Sequence, residues 1–530
     1  MKIGFFLGYG PQTILHKEGL GRYIGSLIKG AVDNGEDVVL AYPEWLRATV
    51  EELLNEFSVP PGSIHEVHQN TPPLWKVYDR FYLHPKKRKR FLPQLHMLFN
   101  AALSRLVNQL VRDRTTFSFI GHLLLGALAF LVLLIPALVF VLLFCAVKII
   151  YKIVKFLALD KLDLFGRIQN TMQSIVIEAD SGSSDLWLDG FNTMLSNTLQ
   201  GLVETVNRSE KVSCWYVPGL FWPEAAELSG CKVFCAPDLV TREYAIGFSR
   251  DVTNTEHSTL QCVETLQKGK YFITYCDYIK QSLLIDQFAK PEAHVAVIRH
   301  SNNDLSGCIR LDTEGLNKTC RSSRDFTEAY CRQLSGLGDI RYLFYASQFR
   351  PHKNILNLLT AYEYLLKSQK ISCKLVLTGN IKALGTVKDF VEEHKLDKEV
   401  IFCYNVSMQK LAALYACADL TVNPTLYEGG FPFTFGEGMS VGTPSIMSRI
   451  PQTQDILEPA GLEEVLFDPY NWRDLAEKIA YWLPRTEELY QKELPLYREQ
   501  EKRTPDVAAK DYIQAFEYFI RLEEAGSPAD

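Results

Sequence analysis

Two glutamates flank a glycine-rich turn in the segment NPTLYEGGFPFTFGEGMSVGTPSIMS. Glu428 and Glu437 are separated by eight residues, and the glycines at 429, 430 and 436 lie between them. Glycine lets backbone N–H groups approach a ligand closely, and the helix start expected after the turn adds partial positive charge. Carboxylates in this setting can accept hydrogen bonds from sugar hydroxyls. Taken alone, such a pair is more often two solvated or helix-capping glutamates on a surface loop.

Basic residues form a second candidate site in the segment YASQFRPHKNI. A strand is expected to end at Ser347, and Arg350, His352 and Lys353 follow where a helix starts. Cations beside the unpaired N–H groups of a helix start would suit a diphosphate. Two exposed basic residues on a loop, by themselves, more often bind nothing.

A third signal is the pair Gly19 and Gly21, which opens the first predicted helix. The next glycine is Gly25, one position too late for the dinucleotide-binding fingerprint GxGxxG. This pair alone is therefore a weak indication of phosphate binding.

The elements that position these residues alternate between strands and helices. Residues 2–8, the helix after Gly21 and the segment DVVLAYP give the βαβ pattern of a parallel sheet, and a second series begins at IRYLFYAS. The fold class is therefore α/β, with two doubly wound domains facing a cleft, where the carboxyl ends of parallel strands bind ligands. The expected boundaries are an N-terminal domain over 1–75 and 205–310, a helical insertion over 76–204, a linker over 311–340, a C-terminal domain over 341–485, and a helical tail over 486–530 that packs back across the domains.

Composition narrows the function classes. The chain has 530 residues, 47% hydrophobic and 22% charged, and its net charge of -6 argues against a nucleic-acid partner. Its twelve cysteines contain no CxxC pair, so reduced thiols are favoured over a disulfide or zinc framework. No metal-binding motif is expected, because the segment VYDRF around Asp79 is not a convincing DxD.

A long apolar run interrupts the first domain. No Asp, Glu, Lys or Arg occurs in the 33 positions between Arg114 and Lys148. One helix of that length would extend ~50 Å, beyond a ~30 Å hydrocarbon core. The strands on either side belong to one sheet, so both ends must lie on the same side of a membrane. With Pro136 as a break, the sequence predicts a re-entrant hairpin over 117–155 rather than two full spans; a hairpin buried within protein is the alternative.

The flanks of this run support a membrane. Residues 76–114 contain ten Lys or Arg and two Asp, a local charge of +8 against -14 for the remainder. Lys148 and two further lysines close the run, so both ends are basic, as expected at a cytoplasmic face with anionic lipids. The segment LPQLHMLFNAALSRLVNQLV has an apolar stripe suited to a helix in the headgroup plane.

Seven segments in order resemble the retaining glycosyltransferases of family 4, which have the GT-B fold of two Rossmann-like domains. The resemblance covers roughly 1–60 and 210–480. It is carried by EGLGRYIGSLIKGAV, KYFITYCDYIKQSL, AVIRHSNND, YASQFRPHKNILNLLTAY, VSMQKLAALYACADLTVNPTLYEGG, EGMSVGTPSIMS and LFDP.

The resemblance implies roles for the basic and acidic residues. Arg350 and Lys353 would neutralise the donor diphosphate, which makes a metal ion unnecessary. Glu437 would hold the ribose of the nucleotide, and Glu428 would lie beside the donor sugar. No cofactor is implied, because the nucleotide-diphosphate sugar is a substrate.

Backbone groups complete the implied donor site. The main chain around Gly430 and Phe431 would meet the sugar hydroxyls, while Gly19 and Gly21 would lie across the cleft near the phosphates. Asp238 would orient the acceptor or the sugar, although a capping or structural aspartate fits as well.

Three positions depart from the family pattern. Eight residues separate the two glutamates where the family has seven, so one role could shift by a residue. Pro237 stands where many members have a histidine before the aspartate. His300 replaces part of a common Asn-Gly pair; it could line the cleft, but a satisfied histidine between the domains is favoured.

The sequence thus predicts a retaining hexosyltransferase at the cytoplasmic face of a cell membrane, monotopic or anchored by its hairpin. It would transfer sugar from a nucleotide sugar to a lipid-linked saccharide or glycolipid in polysaccharide or glycoconjugate biosynthesis. One alternative is a GT-B nucleotide-sugar 2-epimerase. Another is a non-catalytic membrane scaffold derived from a transferase, which Pro237 and the extra residue would favour.

Overall fold

The computed structural model describes residues 1–72, 75, 106, 110, 118–126, 128, 190–248, 252–308 and 340–526, apart from residues 12, 16–18 and 382. Two parallel sheets dominate this part of the chain. This confirms the predicted α/β class with two Rossmann-like domains.

The N-terminal domain is built on a seven-stranded parallel sheet of order β3-β2-β1-β4-β5-β6-β7. Its strands are β1 (Lys2–Phe6), β2 (Asp37–Pro43), β3 (Ile64–Gln69), β4 (Cys214–Val217), β5 (Cys231–Cys235), β6 (Tyr271–Thr274) and β7 (Val295–Val297). Its helices are α1 (Gly19–Asp33), α2 (Arg47–Glu56), α3 (residues 190–209), α4 (Val240–Glu243), α5 (Ala245–Phe248), α6 (Val252–Lys268) and α7 (Asp277–Ile279), the last continued by a π-helical turn over Lys280–Ile285. The central strands are apolar and buried on both faces, as expected of a sheet with helices on each side.

The C-terminal domain repeats this arrangement with six parallel strands in the order β10-β9-β8-β11-β12-β13. The strands are β8 (Tyr342–Tyr345), β9 (Lys374–Leu377), β10 (Val400–Phe402), β11 (Leu420–Asn423), β12 (Ser445–Ser448) and β13 (Leu466–Phe467). The helices are α8 (Ile355–Lys367), α9 (Gly385–Glu393), α10 (Met408–Ala416), α11 (Phe433–Ser440), α12 (Pro451–Leu457), α13 (Trp472–Trp482), α14 (Thr486–Glu501) and α15 (Pro505–Gly526).

The strand order reverses between β1 and β4 in the first sheet and between β8 and β11 in the second. At such a reversal the connections on either side run in opposite directions, and a crevice opens beyond the carboxyl ends of the strands. The basic segment follows β8 and the two glutamates follow β11. The topology therefore brings these two segments to one crevice.

The C-terminal helix returns to the first domain. α15 packs along α1 so closely that a Cβ added to Gly30 would lie 2.3 Å from the Cβ of Ala509. Tyr512, Phe516 and Phe519 are buried in the core of the first domain. The chain thus crosses between the domains twice, which fixes how their loops face each other.

Little of the predicted insertion is described. Of the predicted hairpin over 117–155, residues 118–126 and 128 are helical, and the rest lies outside the described residues. The same is true of most of the basic stretch over 76–114 and of residues 309–339. Leu124, Leu125 and Leu128 are each 65–70% exposed. Over the described residues, no helix combines the length and apolarity needed to cross a membrane.

The two ends of the insertion lie side by side. The Trp75 ring lies 6.2 Å from the ring of Phe191, measured between centroids. At the end of β3, the Gln69 side-chain oxygen accepts a hydrogen bond of 3.2 Å from the Thr205 hydroxyl. The chain therefore leaves the first domain and re-enters it at neighbouring points.

A carboxyl group is buried beneath the second sheet. Glu493 in α14 is fully buried, and its Oε2 accepts a hydrogen bond of 3.0 Å from the Ser445 backbone N–H. Burial raises the pKa of Glu493 well above its usual value, because the charged form loses its hydration. Folding therefore favours the protonated form of Glu493 relative to the unfolded chain.

Protonation of Glu493 makes stability dependent on pH. The unfolded chain releases this proton near pH 4.3, whereas the folded chain keeps it, so stability falls as pH rises above that value, by up to about 1.4 kcal/mol per pH unit until the folded pKa is reached. Glu493→Gln keeps an oxygen acceptor for Ser445 without this loss. We expect thermal unfolding temperatures to fall less between pH 5 and pH 8 in this variant than in the wild type.

The matched control is Glu501→Gln, at an exposed position of the same helix, which should follow the wild type. An equal fall in all three proteins would show that Glu493 is ionised in the fold.

Candidate functional site

The turn over residues 428–436, called here the glycine turn, lies directly on the first domain. A Cβ added to Gly429 would lie 2.7 Å from the Pro237 carbonyl oxygen, and one added to Gly430 would lie 2.9 Å from the Cβ of Tyr275. At Gly436 the added atom would lie 2.0 Å from the amide oxygen of Asn302. The glycines are thus required for close approach of the two domains, a partner that sequence reasoning did not identify.

Lys353 and Glu428 form an ion pair in this crevice, with 2.6 Å between Nζ and Oε1. Each side chain is less than one-fifth exposed. Lys353 ends a 3₁₀ turn, and Asn354 after it has φ +56 and donates from Nδ2 to the carbonyls of Pro424 and Pro469. The sequence-predicted phosphate cation and sugar carboxylate are therefore together, and they neutralise each other.

Arg350 takes a different position from Lys353. Its side chain is exposed and donates from Nη2 to the Gln348 side-chain oxygen at 3.0 Å. It stays close enough to lower the pKa of the neighbouring His352. Arg350 therefore remains available to an anion arriving at the mouth of the crevice.

Asp238 faces the same point from the first domain. Its Oδ1 accepts a hydrogen bond of 3.2 Å from the Val240 backbone N–H, and its Oδ2 would lie 3.3 Å from a Cβ on Gly429. Burial, followed by the charge of Glu428, raises the pKa of Asp238. The residue thus supports the start of α4, as its structural interpretation predicts, and it lies beside the glycine turn; its role towards acceptor or sugar stays a prediction.

Glu437 is held from two sides in the second turn of α11. Its Oε2 accepts a 2.7 Å hydrogen bond from the Tyr415 hydroxyl, and its Oε1 accepts one of 2.5 Å from the Asn303 amide. The carboxylate is 7% exposed. The two donors fix the orientation of the Glu437 carboxylate, a group that accepts hydrogen bonds when ionised.

His352 is structural rather than part of a basic patch. It is buried, and burial together with Lys353 and Arg350 lowers the pKa of its ring to about 3. Its carbonyl accepts a 2.8 Å hydrogen bond from the Leu426 N–H, and its ring stacks on Phe248. His352 therefore joins the turn after β8 to the turn after β11.

The first glycine pair stands at the start of α1, in the first domain. α1 begins at Gly19, and a Cβ on Gly21 would lie 2.1 Å from the Leu15 carbonyl oxygen. Tyr23, half a turn further, packs edge-on against Tyr275, which lies behind Gly430. Gly21 thus packs closely against its own loop, and Tyr23 contacts the tyrosine behind the glycine turn.

Sequence reasoning missed the residues that join the domains. The Tyr244 hydroxyl donates to the Leu426 carbonyl at 2.7 Å, and Asn303 and Tyr415 orient Glu437. Asn303 follows His300 in the segment AVIRHSNND, which the sequence predicts to lie near the cleft. Nothing in the sequence indicated that Glu437 would be its partner. Tyr244 and Tyr415 carried no signal, because Tyr244 lies in a short turn between α4 and α5 and Tyr415 lies among the apolar residues of α10.

Comparisons with known proteins agree with this geometry. Residues 332–493 match the family described as Glycosyl transferases group 1. The chain is 32% identical over 123 residues to the O-antigen chain mannosyltransferase B of Escherichia coli, covering 23% of this chain and 32% of that protein. It is 22% identical over 291 residues to the O-antigen chain mannosyltransferase RfbU of Salmonella typhimurium, covering 53% and 75%. The chain thus spans about a third of one relative and three quarters of the other.

Solved structures show the same architecture. Sucrose-phosphate synthase from Thermosynechococcus elongatus aligns with a TM-score of 0.55 at 14% identity, covering 99% of this chain and 100% of that one. Anabaena Alr3699/HepE in complex with UDP and glucose aligns with a TM-score of 0.51 at 12% identity, covering 97% and 98%. The fold is the two-domain GT-B arrangement, and the family match within it supports a glycosyltransferase.

The ion pair in the crevice can be tested by a double-mutant cycle. Lys353→Met leaves Glu428 unpaired at a mostly buried position, and Glu428→Gln leaves the lysine unpaired. We expect each single variant to unfold at lower denaturant concentration and the double variant to recover part of the loss, with a coupling free energy on the order of 1 kcal/mol. Chemical denaturation of the four proteins measures it.

The control cycle uses Lys388 and Glu392, an exposed pair one helical turn apart. Its coupling should be about 0.3–0.5 kcal/mol. A coupling between Lys353 and Glu428 no larger than this would contradict a neutralised pair within the crevice.

Proposed function

We propose that the chain is a retaining glycosyltransferase that moves a sugar from a nucleoside-diphosphate sugar to a lipid-linked saccharide or glycolipid. The observation that carries the proposal is the Lys353–Glu428 pair at the crevice between β8 and β11. It would combine a phosphate-binding cation with a hydroxyl-binding carboxylate, and Glu437 follows the glycine turn in α11. These are the groups that an activated sugar requires.

The donor diphosphate would be bound by cations alone. Its oxygens compete with Glu428 for Lys353, and Arg350 adds a second cation from the surface. Positive charge beside the departing diphosphate oxygen stabilises the transition state. Transfer of Lys353 to the diphosphate also releases Glu428, so the carboxylate becomes free to bind the sugar only once the donor is present. The HepE neighbour was solved with UDP and glucose, which supports a nucleotide sugar as donor for this fold.

The remaining residues would hold the two ends of the donor. Glu437 accepts the ribose hydroxyls, and the backbone at Gly430 and Phe431 meets the sugar. Asp238 faces the turn from the acceptor side. An oxocarbenium-like sugar needs positioning more than a strong nucleophile, and a turn held between two domains supplies it. No metal-binding group of three or more side chains occurs among the described residues, and none is needed in this scheme.

The acceptor class is proposed from the relatives and the insertion. Both O-antigen relatives act on polysaccharide chains, which supports a role in surface polysaccharide or glycoconjugate assembly. The exposed leucines of residues 118–128 would enter the membrane as part of the hairpin over 117–155, beside a basic segment that favours anionic lipids. The contact of Trp75 with Phe191 supports entry and exit on one side. We place the enzyme at the cytoplasmic face of a membrane.

A donor screen tests the reaction. The full chain in anionic vesicles is incubated with UDP-glucose, UDP-N-acetylglucosamine and GDP-mannose, with and without a lipid extract. We expect one donor to be consumed and radiolabel to enter the organic phase. Glu437→Gln and Lys353→Met should each reduce turnover at least about 100-fold, because a buried hydrogen-bonded charge is lost.

Two results would replace the proposal. Epimerised sugar released from donor alone would identify a nucleotide-sugar 2-epimerase. A chain that consumes no donor, and whose Lys353→Met variant leaves the glycans of cells unchanged, would be a membrane scaffold.

Charged substitutions at the exposed leucines test whether this segment binds a membrane. Leu124→Glu and Leu125→Glu alter exposed side chains and should leave the fold intact, but burying the added carboxylates in lipid is unfavourable. We expect the double variant to lose flotation with anionic vesicles and transfer to a vesicle-borne acceptor, while slow donor hydrolysis continues. Tyr518→Glu, at an exposed apolar position of α15, is the control. Undiminished flotation of the leucine variant would disprove this anchor.

A further inference from the structure

His300 reaches across the domain boundary to the glycine turn. Its Nε2 lies 2.8 Å from the Phe431 carbonyl oxygen. Its ring also stacks on Phe433, with 3.8 Å between centroids and 28° between planes. The histidine belongs to the loop after β7 of the first domain, and both partners belong to the second.

The ring is neutral and has one N–H to donate. Burial lowers the pKa of His300 to about 4. Its Nδ1 lies 3.3 Å from the Ser301 carbonyl, a longer distance than that from Nε2 to Phe431. We assign the proton to Nε2, so the hydrogen bond to the turn is the one that is made.

The Phe431 carbonyl is the point where the turn needs to be fixed. Before it lie Gly429 and Gly430, whose backbone has more freedom than that of any other residue. After it lies Pro432, which has φ -61 and no N–H, and which begins the approach to α11. A hydrogen bond to this carbonyl therefore joins the flexible half of the turn to its rigid half.

We propose that His300 is a positioning residue, which holds the Phe431 carbonyl and thereby presents the backbone at Gly430 and Phe431 to the donor sugar. The inference rests on the proposed function, because it assigns His300 to the sugar end of that donor site. His300 takes no part in proton transfer in this role. His300 and Phe431 both line a cavity of about 230 Å³, whose lining also includes Arg299 and Asp455. Lys353, the proposed phosphate cation, is paired with Glu428 at the other end of the glycine turn.

The experiment separates positioning from packing. His300→Phe keeps an aromatic ring against Phe433 but has no N–H, whereas His300→Gln places an amide N–H near the position of Nε2. We expect His300→Phe to raise the KM of the donor about three- to tenfold, as for one lost hydrogen bond, with kcat changed less than about threefold. His300→Gln should return the KM to within about twofold of the wild type.

Binding measurements locate the effect along the donor. Calorimetry with the nucleotide sugar consumed by the wild type should show the same loss for His300→Phe. The corresponding nucleoside diphosphate, which lacks the sugar, should bind the variant and the wild type equally. His294→Phe, in the same domain with its ring against Tyr271, is the control and should change neither affinity.

The outcomes distinguish the role of His300 from the proposed function. If His300→Phe lowers only the unfolding temperature, or if His300→Gln fails to restore the KM, His300 is structural and the inference is overturned. An equal loss for sugar nucleotide and nucleoside diphosphate also overturns it. A wild type that binds no nucleoside-diphosphate sugar overturns the proposed function itself, and this inference with it.

Discussion

The contact between the glycine turn and the first domain is the constraint on which the site depends. At Gly429, Gly430 and Gly436 there is no room for a Cβ against Pro237, Tyr275 and Asn302. This contact places Asp238 beside Glu428 and Asn303 on Glu437, so residues from both domains act on one turn. In the return of the chain to α15, Arg503 supports this spacing by donating to the Arg299 carbonyl at 2.7 Å.

Charge within the crevice follows from this closeness. Asp238 lies beside the glycine turn that begins at Glu428, and burial together with the charge of Glu428 raises the pKa of Asp238. Lys353 is the cation that makes this arrangement tolerable. A diphosphate that binds Lys353 would leave Glu428 without its cation. The carboxylate would then need hydrogen bonds from sugar hydroxyls, so binding of the diphosphate and binding of the sugar would be coupled. Under the proposed function, the crevice would thus be complementary to a sugar diphosphate as a whole rather than to either half.

The sequence was sufficient for the apolar strands and for the two segments at the reversal of the second sheet, because apolar runs are local signals; it did not indicate the more polar β3. It was insufficient for the partners of those segments. Asn303 on Glu437 and Tyr244 on Leu426 join positions more than 130 residues apart, and their contact depends on the distance between two loops. The helix over 190–209 shows a related case. Met194, Leu202 and Val206 repeat at near-helical spacing and are buried in the first domain, whereas length and composition alone assigned residues up to 204 to the insertion.

The position of the insertion determines which side of the cleft would face a membrane. Parallel strands carry their carboxyl ends to one edge, and in the first sheet that edge faces the cleft. β3 ends at Gln69 on this edge, and a few residues later the Trp75 ring lies 6.2 Å from the ring of Phe191, where the chain re-enters the first domain. An insertion that begins and ends there emerges beside the cleft rather than behind the domain. If its apolar helix enters lipid, the acceptor side of the cleft lies nearest the membrane and the second domain, with its cations, faces the solution from which a nucleotide sugar arrives.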